Sequence, residues 1–432
     1  MLMTFATHEV GPGFRVHVCQ SAKFKTIRLK MLWRWPLSAT SATKVALLPL
    51  VLRRGCRTWP TSRKIAVQLE QMYGSGFDVD IAKIGETHLV EWDMETPDPS
   101  YINGRPDLLT QALTFMRDIA FDPLLQEGGF SADYVATERT NLRHRLEGLI
   151  NDKPRYAIHR LYEVMCAQES FAIGRNGRLE DLPELTAQEL LDEYNQLRVG
   201  APCDLYVVGD VNAEQTAELA AALFTVADRK PVAIPPATRK KAGEVRYAEE
   251  VADVNQAVLT MGLRSNVGYA SPAYPALLVY NGVLGAYPHS KLFVNVREKN
   301  SLAYFASSRL ESTKGLQYIV AGIDSSKYQS ALDLIEAQIA AVKAGDFTTA
   351  ELVAAQKSIT TGLLSMQDDA EYIIDAHMLG QINGVERPPD AVIAAVQAVQ
   401  PADVVAVANE TELDTVFFLK GAASKDGVGH EN

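Results

Sequence analysis

Cysteine is scarce in this 432-residue chain, and the four present, Cys19, Cys56, Cys166 and Cys203, stand far apart. Their spacing offers neither a CxxC zinc pair nor the dense disulfide framework of a small secreted domain, so they read as buried or incidental thiols. Histidine is nearly as sparse. None of the eight (His8, His17, His88, His144, His159, His289, His377 and His430) lies at HxxEH, HxxxH or HxH spacing from another, so no helix face presents two imidazoles to one zinc ion. A Walker-type loop, a dinucleotide fingerprint and a GxSxG elbow are also missing, "YGSGF" having the wrong spacing. Positive charge is in deficit: 42 Lys and Arg against 53 Asp and Glu leave −11, which disfavours nucleic acid and anionic membranes as partners. No window reaches the ~18 to 20 apolar residues of a membrane span, and the first residues lack a basic start followed by an apolar block. The expectation is a soluble, cytoplasmic protein.

What is there is a globular composition, 47% hydrophobic and 22% charged, on a chain long enough for several domains. It repeats itself. "ALLPLVLRRG" at Ala46 and "ALLVYNGVLG" at Ala276 are offset by 230 residues, and the strand-like "GETHLVEWDME" at Gly85 and "KGLQYIVAGID" at Lys314 by 229. "FSADYVATERTNLRHRLEGLINDKPRY" from Phe130 matches "FTTAELVAAQKSITTGLLSMQDDAEY" from Phe347 at 217, falling to 216 at Tyr156 and Tyr372. "CDLYVVGD" and "DTVFFLKG" place Gly209 and Gly421 at 212. Four matches in one order with a slowly drifting offset are what loop-length changes between two copies of one unit produce. Between the copies lies "DRKPVAIPPATRKKAGEV", whose prolines suit neither a helix nor a central strand. Residues 228–245 are therefore expected to link an N-terminal domain, 1–227, to a C-terminal one, 246–432. The rival reading makes the linker's basic run a substrate-binding patch.

Within each copy an extended segment ("FKTIRLKMLW", "NQAVLTMGLR") precedes an apolar helix, then a strand, an amphipathic helix, a long charged helix and a closing strand. In "DLLTQALTFMRDIA", Leu108, Leu109, Ala112, Leu113, Phe115, Met116 and Ile119 follow helical spacing. The order predicts an α+β sandwich in each half, with helices covering one side of a sheet.

Two polar groupings invite chemistry. "GETH" offers Glu86 and His88, ligand types that on a strand belong to an ordinary polar edge. "HSKLFVNVREKNSLAYFASS", from His289, has a helical inner face in Leu292, Phe293 and Val296, with Arg297 near the helix end and Tyr304 opening a strand seven residues later. A guanidinium fork and a phenol suit the carbonyls or carboxylate of an extended peptide. A helix end pinned by an Arg–Glu pair fits the same spacing.

The run "LGAYPHSKLFVNVREKNSLAY" resembles the second-half signature of the insulinase-like (M16, pitrilysin-type) metallopeptidases, an LGGG…S(R/K)LF…REK…LAY pattern. The duplicated halves, the Pro-rich linker and the close "LTAQELLDEYNQLRVGAPCDLYVVGDV" extend that resemblance over nearly the whole chain, and "EGLINDKPRYAIHRLYE" resembles the YfmF-like branch, bacterial proteins associated with elongation factor P modification. The resemblance implies two homologous LuxS/MPP-like domains, each a mainly antiparallel sheet covered by helices.

Active members of the family hold zinc on an HxxEH helix and a distal Glu, with the motif Glu as general base. Anchored on Gly55, the motif falls on Ala46, Leu47, Leu48, Pro49 and Leu50, and no acidic residue or histidine occurs between Lys30 and Leu69. The distal segment falls on Leu142, Arg143, His144 and Arg145. The resemblance therefore implies no metal ligands and no catalytic residues here. Arg297 and Tyr304 match the pair with which the family's second half orients substrate. The glycine-rich loop is thinner, with Ala286, Tyr287 and Pro288 after Gly285. The implied function is a zinc-free subunit of a peptidase heterodimer. It would pair with an HxxEH-bearing paralogue that carries the zinc, and would bring Arg297 and Tyr304 to an extended peptide substrate. The alternative is a non-enzymatic peptide-binding or scaffold protein linked to elongation factor P modification.

Overall fold

The computed structural model describes residues 4–421 except 105, 127, 226 and 227. His430 and the outermost residues of both expected halves lie outside the described residues. The chain forms two units, one of Met1–Glu147, Ile173–Pro236 and Gln367–Leu379, the other of Gly148–Ala172, Ala237–Met366 and Gly380–Asn432.

The first unit carries strands β1 (Ala6–Gly11), β2 (Phe14–Gln20), β3 (Thr26–Pro36), β4 (Gly76–Ile84) and β5 (Thr87–Pro97), a short ribbon of β6 (Leu125–Gln126) and β7 (Gly129–Phe130), and β8 (Cys203–Gly209). They give a six-stranded sheet ordered β1-β2-β8-β3-β5-β4, antiparallel except between β2 and β8. The helices are α1 (Ala42–Leu52), α2 (Ser62–Gln71), α3 (Leu108–Phe121), α4 (Ala132–Glu147), then, after α5 (Lys153–Met165) of the second unit, α6 (Ala187–Gly200) and α7 (Ala213–Leu223). Alternation along β3 sets the layers: Ile27, Leu29, Met31 and Trp33 enter the core shared with α1, α3 and α6, while Arg28, Lys30 and Arg34 face the other way. Asp107 caps α3 by accepting from the Thr110 N–H at 3.1 Å, and Thr186 with Glu189 forms a capping box on α6.

The second face of this sheet is charged. Arg28 meets Asp93 at 2.6 Å, Glu95 at 3.3 Å and Glu371 at 3.1 Å, and Lys30 meets Asp375 at 2.8 Å. Asp204 on β8 is buried among Arg15 at 2.7 Å, Arg34 at 2.9 Å and His17 at 3.1 Å. Glu371 and Asp375 belong to α11 (Ala370–Asn383), so this face too is covered by helix.

The second unit carries β9 (Arg246–Ala252), β10 (Ala257–Ser265), β11 (Ala303–Glu311), β12 (Leu316–Ile323) and β13 (Thr411–Gly421), with α8 (Tyr274–Asn281), α9 (Tyr328–Lys343), α10 (Thr349–Met366), α12 (Pro389–Ala398) and α13 (Pro401–Asn409). π-helical segments span Gly282–Ala286 and Leu292–Lys299. The sheet order β11-β12-β10-β13-β9, antiparallel except between β13 and β9, repeats β4-β5-β3-β8-β2 strand for strand and direction for direction. The duplication expected from the sequence is thus present in the topology, and β1 is the first unit's addition. Helices cover both faces of this sheet rather than the one side expected. Leu259, Met261, Ile319 and Val416 pack under α8, α9 and α13, whereas Val258, Val320 and Phe417 alternate with them and pack against Ala157 and Leu161 of α5. Gly262 lets α5 approach: a Cβ there would lie 2.6 Å from Met165 Sδ.

Among the described residues no single helix is long and apolar enough to cross a membrane; α12 and α13 reach that length only together, across a 100° bend.

The charged face generates two pH predictions of opposite sign. Burial alone would raise the Asp204 carboxyl, but the His17 hydrogen bond and the charges of Arg34 and Arg15 outweigh it and hold it down at about 2. Its stabilisation, about 2 kcal/mol, is present above the unfolded value near 4 and lost as pH falls toward 2. Asp204→Asn should therefore destabilise by about 3 kcal/mol at pH 7, with the difference from wild type shrinking below pH ~4 in denaturant titrations. Glu91 behaves oppositely: burial pushes it up to about 7 against the pull of Lys30, with Asp375, Asp93 and Asp80 adding to the rise. Folding there weakens as pH climbs from the ordinary carboxylate range to 7, so Glu91→Gln should flatten that decline and gain on wild type between pH 5 and pH 8.

Candidate functional site

The helix that matches the zinc motif is α1, and it is core. Ala46, Leu47 and Leu48 have no exposure, Leu50 has 2%, and Pro49 is buried beside them. The sequence explains this, because "ATKVALLPLVL" is apolar except at Thr43 and Lys44, the latter paired with Glu193 at 3.0 Å, and it packs against α4, α6, β4 and β5. Pro49 stands at the position of the family's general base; it brings no ionisable group and removes one helical N–H.

On α4, Leu142 of the distal segment is fully buried, and His144 and Arg145 lie in the last turn. One carboxylate does point inward from this helix, and sequence reasoning missed it: Glu138, fully buried, accepts from Asn141 Nδ2 at 3.1 Å and from Arg54 Nε just beyond α1. The cation beside the buried acid is thus a guanidinium. Its signal in the sequence is the Arg53–Arg54 pair that follows an otherwise apolar run. Glu86 lies in the β4–β5 turn and His88 is wholly buried on β5, not at the polar edge expected; burial lowers His88 to about 4, leaving it neutral. Among the described residues no group of three His, Cys, Asp or Glu could hold a metal ion. The side chains at the motif positions are hydrocarbon and do not fit zinc.

The second unit places Arg297 and Tyr304 on either side of one tight turn. Arg297 lies in the last turn of the π-helical segment with its guanidinium 4.5 Å from the centroid of the Phe293 ring, and it pairs with no carboxylate among the described residues. A stacked guanidinium is held in place while its N–H donors stay free. The turn is pinned by Leu302 N–H to Val296 O at 3.0 Å, Asn300 Nδ2 to Asn295 O at 2.7 Å and Lys327 Nζ to Ser301 O at 3.0 Å, with Ser301 at φ +50°. Tyr304 follows on β11, an edge strand, at the β-bulge between Ala303 and Phe305. The bulge turns its side chain outward, 69% exposed. Beneath, a polar network is closed: Ser308 Oγ donates to Asn281 Oδ1 at 2.7 Å, Gln317 Nε2 to the same oxygen at 3.0 Å, and Tyr280 OH to Gln317 Oε1 at 3.1 Å. Gly285 is required here, since a Cβ would sit 2.6 Å from both Leu292 Cδ1 and Ser308 Oγ.

Residues 184–359 match the family described as Peptidase M16 inactive domain. The chain is 33% identical over 409 residues to the Probable inactive metalloprotease YmfF of Bacillus subtilis (strain 168), covering 95% of this chain and 96% of that one. The chain belongs to the M16 peptidase family. Two solved structures extend the likeness. A conserved protein from Enterococcus faecalis V583 superposes with TM-score 0.90 at 28% identity over 98% of this chain and 100% of its own, and a protease from Helicobacter pylori with TM-score 0.80 at 15% identity over 97% and 100%. The second likeness is one of fold alone. As an M16 protein, the chain is a homologue of the inactive members: it has the two-domain fold, and the described residues hold no zinc set.

Restoring the motif should not restore the site. Ala46→His, Pro49→Glu and Leu50→His together would bury three polar groups among hydrocarbon. They are expected to lower stability by more than about 4 kcal/mol, with no stoichiometric zinc by metal analysis. A folded variant carrying one zinc per chain would show that α1 can open.

Proposed function

We propose that this chain is the zinc-free subunit of a two-chain M16 peptidase. It would supply Arg297 and Tyr304 to a substrate held by an HxxEH-bearing paralogue. The supporting observation is the contrast between the two units: the motif positions of the first are sealed hydrocarbon, while the matched pair of the second is presented outward with donors uncommitted among the described residues. An extended peptide adding as a strand to a sheet edge of the partner offers carbonyls to a guanidinium and a phenol, and main-chain bonding gives affinity with little sequence preference. No chemical step is assigned to this chain. Its part is to bind and orient, which supports catalysis by fixing the scissile bond near the partner's metal.

The sealed α1 equally favours a second reading, a non-enzymatic peptide-binding or scaffold protein, with elongation factor P modification as its setting. The two part company in a mixing experiment. Purified chain, alone and with the HxxEH paralogue of the same cell, is assayed for complex formation, zinc and peptide cleavage. The first reading expects cleavage only in a stoichiometric zinc-containing complex. Within it Arg297→Ala should reduce turnover about a hundredfold, while zinc content and the thermal midpoint stay unchanged. A complex that retains intact peptide selects the scaffold reading, and failure to associate removes the first.

A further inference from the structure

The basic run between the two expected domains is fastened within the second unit. In the second unit Lys314, fully buried, donates to Thr238 Oγ1 at 2.9 Å and meets Glu169 Oε2 at 2.6 Å, which fastens the linker beside the turn that follows α5. Lys240 Nζ adds a bond to Gln168 O at 3.2 Å. The fastened linker walls a cavity of about 310 Å³, whose other lining includes the end of α5, Arg246, Arg264 and Asp414.

Much of the charge here is structural. Arg246 donates to Val164 O and Met165 O, both at 2.8 Å, and pairs with Asp414, so it caps the C-terminus of α5. Arg264 uses Nη2 on Met165 O and Glu169, both at 2.7 Å, and Nε on Asp414 at 2.6 Å. These bonds saturate the two buried acids, since Asp414 also accepts from Thr415 Oγ1 at 2.6 Å and Glu169 is shared with Lys314. Two positive groups remain uncommitted. Arg264, only 5% exposed, has an Nη1 with no acceptor among the described residues, and Lys241 at the rim makes no hydrogen bond or ion pair among them. A buried guanidinium donor left unmade is costly, and the acceptor that best completes it is an anionic oxygen. Exposed Glu244 is the one opposing charge in the lining that no cation holds among the described residues, and at the rim it is screened by solvent.

We propose that this cavity binds a small oxyanion, a carboxylate or a phosphate, between Arg264 on its floor and Lys240 and Lys241 at its mouth. The site lies wholly in the second unit and is independent of Arg297, Tyr304 and any partner chain.

Isothermal titration of the full chain, at constant ionic strength in chloride, tests it with inorganic phosphate and separately with acetate. Lys241→Gln, at an exposed residue with no hydrogen bond or ion pair among the described residues, is the test variant that is expected to stay folded. Saturable one-site binding of either probe, weakened about tenfold in Lys241→Gln with an unchanged thermal midpoint in chloride, is the expected result. Phosphate alone marks a phosphorylated ligand, acetate alone a carboxylate such as a peptide C-terminus, and both an unselective oxyanion site. Absence of saturable binding by either probe, or binding indifferent to Lys241→Gln, overturns the assignment.

Discussion

Positions sealed in hydrocarbon have no face left for chemistry, and much of this molecule follows from that condition at Ala46–Leu50 of α1. The core of the first unit closes over Ala46, Leu47, Leu48 and Leu50, with Trp33 and Trp92 in contact at 4.7 Å on the sheet beneath. Filling a site with hydrocarbon substitutes burial of apolar surface, about 25 cal/mol per Å², for metal–ligand bonds as the source of local stability. The same exchange explains Arg54. A carboxylate on α4 cannot stay buried without a positive partner, and Glu138 is given a permanent one attached to the chain.

The two units solve one topology with different chemistry. Their sheets share strand order and direction, yet the second face of the first sheet is an ion-pair array beneath α11, and that of the second is an apolar layer beneath α5. Since α5 and α11 are the segments related by the 216-residue offset at Tyr156 and Tyr372, equivalent helices cover equivalent faces, and each is grouped with the sheet of the other copy. Charge on one face lets stability respond to pH in both directions, through Asp204 and Glu91. Hydrocarbon on the other does not.

This arrangement also explains what could be read in the sequence. The apolar helices, β3 with β10, β5 with β12 and β8 with β13 were legible because each carries its own periodicity and the repeat offset drifts only in loops. The grouping of α5 and α11 was not, because an amphipathic stripe records that a face is buried without recording against what. The β1–β2 hairpin and β9 escaped notice for a related reason. β1 and β9 are largely exposed strands at the sheet edges, so their apolar residues do not mark a buried face; β2 does alternate, Phe14, Val16 and Val18 facing the core, but it has no counterpart in the repeat matches. Glu138 was hidden because it is one acid on a strongly charged helix, and only the fold distinguishes the carboxylate that points inward.

On the function proposed above, Arg297 and Tyr304 would form a site kept prepared while the motif helix of the first unit is sealed. Neither residue contributes to a core: one is stacked on a half-buried ring, the other turned outward by a bulge, on a turn held by three hydrogen bonds. Stability alone would be served as well by an unbulged strand and a guanidinium paired to a carboxylate, and Glu298 stands next in the chain. Preorganised donors that the fold itself leaves unused are the expected form of a surface whose acceptor arrives from outside, because the entropy of fixing them is lost at folding rather than at binding. Loss of α1's chemistry therefore removes no support from this turn, whose anchors all lie within the second unit.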